Sequence, residues 1–193
     1  MDKALTANQK WWHQNAAAVA DRLLAPAAAA IDAEGHVPRR ILTGLAQEGL
    51  LALRAPASLP LGGKAPESVQ GADADALAAV VVIEELAARC ASSAALAAVV
   101  TGPVGELLRA CASEAQRDEL WPAIIAGESL ACLAVDGEGR ALRCSRDGEG
   151  GYLLSGTLPA VPGAAEADWA VVFCREGDEG DEGATVGLIV PLD

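Results

Sequence analysis

Aromatic side chains, basic side chains and histidines are all scarce in this sequence. Of its 193 residues only four are Trp, one is Tyr and one is Phe, so the apolar content is carried by Ala, Leu and Val. Lys and Arg number 14 against 27 Asp and Glu, a formal net charge of −13. That balance speaks against nucleic acid as a partner, because no basic patch offsets it against phosphates. Anionic membrane surfaces are disfavoured for the same reason. The five cysteines are odd in number, widely spaced and form no CxxC, which argues against a disulfide framework or a zinc site. Small buried thiols in a reducing cytoplasm are the simpler expectation. The first residues, MDKALTANQKWWHQN, lack the basic and apolar regions of a secretory signal. The longest charge-free run, Cys90 to Gly105, has 16 residues and contains Pro103, short of the ~18–20 apolar residues of a membrane span. A cytoplasmic chain with no membrane segment is therefore expected. No region repeats at a fixed period, so a solenoid is not supported.

What remains is apolar enough to fold. Hydrophobic residues make up 52% of the chain and the mean hydropathy is +0.26, which excludes disorder for most of it. The length suits one large domain or two small ones. Composition changes near residue 128, from Ala and Leu with helix punctuation to Gly, Val and short apolar runs. The expected fold class is α+β, with a helical domain over 1–127 followed by a partial β-barrel-like domain over 128–193. In the first, Trp11–Ile31 reads as a helix that Pro26 kinks or splits, and a turn carrying Gly35 follows. Pro38 suits the first turn of a helix that Gly49 ends. Arg54–Gly71 is loop. Helices then run over Asp73–Ala91, capped by Asp73, and from a cap at Ser92 or Ser93 through Leu107 and Leu108, bent at Pro103. Ser113 with Gln116 forms a capping box for Glu114–Ile125. In the second domain, strands are expected at Leu130–Val135, Ala141–Cys144, Tyr152–Ser155, Trp169–Cys174 and Val186–Val190. The acidic stretch Arg175–Gly183 is read as an exposed hairpin loop, and the sheet is left with an uncovered edge.

Few side chains suggest chemistry by themselves. Glu84 and Glu85 diverge by roughly 100° on a helix, so a solvated or salt-bridged face suits them better than a shared acid–base site. His13 and His36 stand apart from any Ser or Cys at triad spacing and suit surface or capping roles. Arg140, Arg143 and Arg146 form the densest basic cluster of the second part. They are read either as a solvated edge strand or as a clamp for the phosphates of a ligand, through the planar guanidinium fork. Gly137–Arg140 and Gly148–Gly151 lack the strand–turn–helix setting of a phosphate loop and are read as turns.

Taken in order, several segments resemble the acyl-CoA dehydrogenase family. They are VADRLLAPAAAAIDAEGHVP, ILTGLAQEGLLALRAP with Gly62–Gly63 after it, VVVIEELAARCASSAALAAVV, SEAQRDELWPAIIAGESLACLAV, GGYLLSGTLPAV and EADWAVVFCR. The resemblance implies a helical N-terminal domain and much of a β middle domain, with no counterpart of the family's C-terminal four-helix domain. It implies FAD as cofactor and an acyl thioester as substrate, the reaction being α,β-desaturation. Leu96, Val99 and Val100 fall on the helix that lines the acyl pocket in the family. Leu133 and Val135 lie on the strand approaching the flavin, and Asp136, Val161 and Pro162 fall at or beside its contacts.

Two departures from the family pattern bear on that cofactor. Asp136 stands where a Thr would begin the Thr-Glu-Pro motif, and the Gly-Ser-Asp that follows is missing. Pro162 replaces a Thr and has neither N–H nor hydroxyl to give. The family's α-proton-abstracting Glu lies in the C-terminal domain, so no residue here is assigned as catalytic. The expectation is a degenerate or split subunit that works beside a partner, as a homo-oligomer or in a hetero-complex with a similar chain. The alternatives are a non-catalytic assembly protein and the N-terminal half of a complete enzyme.

Overall fold

A computed structural model describes residues 5–56, 59, 76–135, 141–177 and 183–192. The chain divides into two compact units, Met1–Leu130 and Ala131–Asp193.

The first unit is helical. Helix α1, Ala7–Val19, opens with a capping box between Thr6 and Gln9 and continues into a wider π turn, Ala20–Leu24. Pro26 has no N–H and its ring crowds the preceding turn. The helix responds with a five-residue hydrogen bond from Ala25 N to Ala20 O and stops. Helix α2, Ala28–Glu34, therefore runs further than the turn expected at Asp32, and Gly35 ends it at φ +64°. Helix α3, Arg39–Gln47, follows Pro38 in the cap position. It closes with Leu50 N donating to Leu45 O and Gly49 N to Ala46 O, the Schellman pattern expected of Gly49.

Helix α4 spans Ala76–Ala87, and its expected cap, Asp73, lies outside the described residues. A continuous helical rod follows: α5 (Ala91–Val99), a π segment (Val100–Val104) that absorbs Pro103, and α6 (Gly105–Cys111). Ser92 and Ser93 do not cap it. Cys90 holds the cap position, and the fully buried Ser93 hydroxyl donates back to Cys90 Sγ at 3.2 Å. This 21-residue rod is long and apolar enough to cross a membrane, which the 16-residue charge-free run did not indicate. Val100, Thr101, Val104 and Leu108 are nevertheless buried in the unit, as in the core helix of a globular domain. Helix α7, Glu114–Ala126, starts on the Ser113–Gln116 capping box and ends at Gly127.

The second unit is a five-stranded mixed sheet: β1 (Ala131–Ala134), β2 (Leu142–Arg146), β3 (Tyr152–Gly156), β4 (Trp169–Glu176) and β5 (Thr185–Pro191). The central strand is β4, antiparallel to β5 along one side. Along its other side it is parallel first to β1, Leu133 opposite Val171, and then, at its own end, to β2, Arg143 opposite Arg175. β2 and β3 form an antiparallel hairpin. One face gathers Cys132, Ala134, Leu142, Cys144, Ala170, Val172 and Cys174 into a core. Trp169 and Val171 are buried as well, so β4 is enclosed on both faces.

Candidate functional site

Helices α4 and α5, with the π segment after α5, leave a cleft of about 610 Å³ between them. Its walls are Ala79, Val80, Ile83 and Glu84 from α4 and Ala98, Thr101 and Gly102 from the rod. Spacings of three and four residues place each set on one helical face. The cleft is roomy because the rod contributes small side chains: a Cβ added at Gly102 would meet nothing within 4 Å. The Thr101 hydroxyl is turned away from ligand duty, donating to Ala97 O at 2.9 Å. Of the residues expected to line an acyl pocket, Leu96 and Val99 are half-buried and Val100 is buried in the core. The cleft is thus formed by the same helix through a different set of side chains. Sequence periodicity signals the apolar helix but not which face a neighbouring helix leaves open.

Helical phase separates the two glutamates, as expected. Glu85 pairs with His13 Nε2 at 2.9 Å and with Arg89 at 3.5 Å, and Arg89 Nε donates to Asp21 at 2.7 Å. The Arg89 guanidinium is held charged above its ordinary range chiefly by the Asp21 hydrogen bond. Glu84 points to the cleft instead.

The residues assigned to the cofactor lie in the second unit. Leu133 is half-buried and Val135, one residue past β1, is 51% exposed. Strand alternation puts Leu133 on the face opposite Cys132 and Ala134. Val161, by contrast, packs on the Cys132 face, so the structure does not gather these side chains on one side of the sheet. Val161 O accepts from Ala164 N at 3.2 Å, which commits that carbonyl to a turn, and Pro162 is exposed beside it. Asp136 and Arg140 lie outside the described residues.

Of the basic cluster, Arg143 and Arg146 are described, and they separate on folding. Arg143 and Arg146 alternate across β2, with Arg143 half-buried and Arg146 exposed. Arg146 stacks on the Tyr152 ring at 4.8 Å and meets Glu176 at 3.3 Å. Gly148–Gly151 is a turn, as expected, with Asp147 Oδ1 accepting from Glu149 N at 2.8 Å and Gly151 N at 2.9 Å. These backbone donors hold the Asp147 carboxyl below its usual range.

Four cysteines are buried and Cys111 is exposed. Burial, followed by the adjacent Cys144, pushes the Cys174 thiol up to about 12, and burial also raises Cys132. Both stay protonated near neutrality, which suits packing rather than attack. No group of three or more His, Cys, Asp or Glu is placed to hold a metal among the described residues.

Comparison with known proteins gives this arrangement a family. The model for the acyl-CoA dehydrogenase N-terminal domain matches residues 6–128. The pig mitochondrial short-chain specific acyl-CoA dehydrogenase is 26% identical over 180 residues, 90% of this chain and 41% of that protein. A probable acyl-CoA dehydrogenase of Mycobacterium tuberculosis, FadE25, is 28% identical over 89% of this chain and 43% of its own length. The chain thus spans less than half the length of these curated relatives. Among solved structures, butyryl-CoA dehydrogenase from Megasphaera elsdenii superposes with a TM-score of 0.80 at 19% identity, over 99% of this chain and 50% of that one. A glutaryl-CoA dehydrogenase from Mycobacterium smegmatis, solved in complex with FADH2, gives 0.78 at 19% identity, over 97% and 46%. A helical unit followed in sequence by a mixed sheet is thus the fold this chain shares with these enzymes, and the chain belongs to the acyl-CoA dehydrogenase family.

Proposed function

We propose that this chain supplies the acyl-binding part of a catalyst that desaturates acyl thioesters, as a split or degenerate subunit completed by a partner. The cleft between α4 and the α5 rod carries this reading: it is apolar, open and built from small side chains, as an alkyl chain requires. Leu96, Val99 and Val100, assigned to the acyl pocket, lie on the same helical rod. Arg143, with Arg140, is assigned to the phosphates of the CoA moiety.

FAD is the cofactor this family membership implies, and the donors present fit it poorly. Of the five residues assigned to it, Leu133, Val135 and Val161 offer only apolar side chains, and Pro162 has neither N–H nor hydroxyl. Asp136 adds a carboxylate, which opposes the negative charge of a reduced flavin. We therefore assign no step through flavin to this chain alone. Tight flavin binding is expected only in an assembly, a homo-oligomer or a complex with a related chain, working in the cytoplasm.

The test is turnover. Purified chain with added FAD should reduce no dye above background with any straight-chain acyl-CoA, and a complementary dehydrogenase chain should be needed for activity. Dye reduction by the chain alone overturns the split-subunit reading. The poor donor set at Pro162 also favours a second reading, a non-catalytic assembly protein. An intact flavin-free oligomer that binds no acyl-CoA would select it.

A further inference from the structure

Among the described residues the cleft walls contain one charged side chain, and it is treated differently from its neighbour in sequence. Glu85 has two partners, His13 Nε2 at 2.9 Å and the Arg89 guanidinium at 3.5 Å. The Glu84 side chain meets no cation among the described residues, is exposed, and lines the cleft with Ala79, Val80, Ile83, Ala98, Thr101 and Gly102. Because the Thr101 hydroxyl is spent on Ala97 O, no side-chain donor among the described wall residues faces a ligand. Among the described residues the site therefore combines apolar surface with a single negative charge that no cation meets.

We propose that Glu84 sets the ligand class of this cleft, admitting the uncharged apolar tail of an acyl thioester and turning away a tail that ends in a carboxylate. The inference rests on the acyl reading of the cleft given above. Its physical basis is twofold. Apolar walls stabilise a hydrocarbon tail by removing it from water. A tail carboxylate loses hydration there, finds no donor on the walls, and approaches a like charge. Coulomb repulsion between unit charges some 4 Å apart in a water-like medium corresponds to about a fivefold weakening, and more where the walls exclude solvent.

The experiment compares hexanoyl-CoA with adipoyl-CoA, which has the same six-carbon acyl chain ending in a carboxylate. Both are titrated calorimetrically into the full chain and its Glu84→Gln, Glu84→Arg and Gly102→Leu variants. The native chain should bind hexanoyl-CoA about fivefold or more tightly than adipoyl-CoA. E84Q should level the two by strengthening adipoyl-CoA alone, and E84R should invert the order. G102L, which fills the open space at Gly102, should weaken both. Circular dichroism melts confirm that each variant is folded. An unchanged preference in folded E84Q overturns the role of Glu84 while leaving the cleft as the acyl site. Hexanoyl-CoA binding that ignores G102L, or no binding of either thioester, overturns the acyl reading and this inference together.

Discussion

At Gly127 one hydrogen atom in place of a side chain lets two helices meet. The residue sits at φ +71°, and a Cβ there would lie 2.8 Å from Ala46 Cβ and 3.1 Å from Thr43 Cα. The close approach is used, because Thr43 Oγ1 donates to Gly127 O at 3.2 Å and Arg39 donates to Glu128 O at 2.8 Å. Both satisfy carbonyls that the end of α7 leaves without helical partners. Gly127→Ala should destabilise the first unit by about 2–4 kcal/mol, the sum of left-handed strain and overpacking, measured by urea denaturation. Asp136 and Pro162 support a residue-scale prediction about the cofactor. Asp136→Thr with Pro162→Thr should restore one or two hydrogen bonds, about 1–3 kcal/mol, or one to two decades in affinity. Titrating FAD against the native chain and the double variant, in the assembly each forms, reads this directly. Equal dissociation constants would show that these two positions do not meet the flavin.

Among the elements, the α5–α6 rod is fastened by charge as well as by burial. Glu106, in the first turn of α6, accepts from Arg109 Nη2 at 2.7 Å and also pairs with Arg54. Arg109 first, then Arg54, holds its carboxyl below the ordinary 4.5. A carboxyl whose folded pKa is depressed adds stability above its unfolded pKa and loses it as pH falls through the folded value. Native chain should therefore melt above Glu106→Gln near pH 7, with the gap closing as pH falls below about 4. The side chain is 39% exposed, so the difference is small and should shrink further in salt. A gap that persists at pH 3 would show that Glu106 acts through packing alone. The capping box on α7 was legible in the sequence because Ser113 and Gln116 are three residues apart and need no other part of the chain. The cap of α5 was not. Ser92 and Ser93 have the right chemistry, but burial of Ser93 moves the cap to Cys90.

At the scale of the molecule, apolar surface remains uncovered among the described residues. Leu77, Val80 and Val135 are 42%, 58% and 51% exposed, and Leu153 on the outermost strand β3 is 65% exposed. No strand pairs with the outer sides of β3 and β5 among the described residues. Such edges and patches favour association, so light scattering at micromolar concentration should give a mass above the 19.5 kDa of one chain. A stable monomer with no partner recovered from cells would remove the assembly part of the proposal.

The sequence by itself determined what depends on near neighbours. The strand spans fall within a few residues of those expected, because a short apolar run bounded by Gly, Asp or Pro carries its own period and its own stops. Gly49, Pro26 and the Ser113 cap are read correctly for the same reason: each constrains the backbone within one turn. The division of work between Glu84 and Glu85 was half legible, since helical phase separates them whatever surrounds them. Only tertiary structure decided that Glu85 meets His13, 72 positions away in sequence, and that Glu84 faces a cleft. It also decided that β1 runs parallel to β4, and that Arg146 turns to Tyr152 and Glu176 while Arg143 is half-buried. A cleft is the space that two helices fail to fill, and a sheet order is a choice among partners distant in the chain. Both are set by the packing of the whole unit, which no local period encodes.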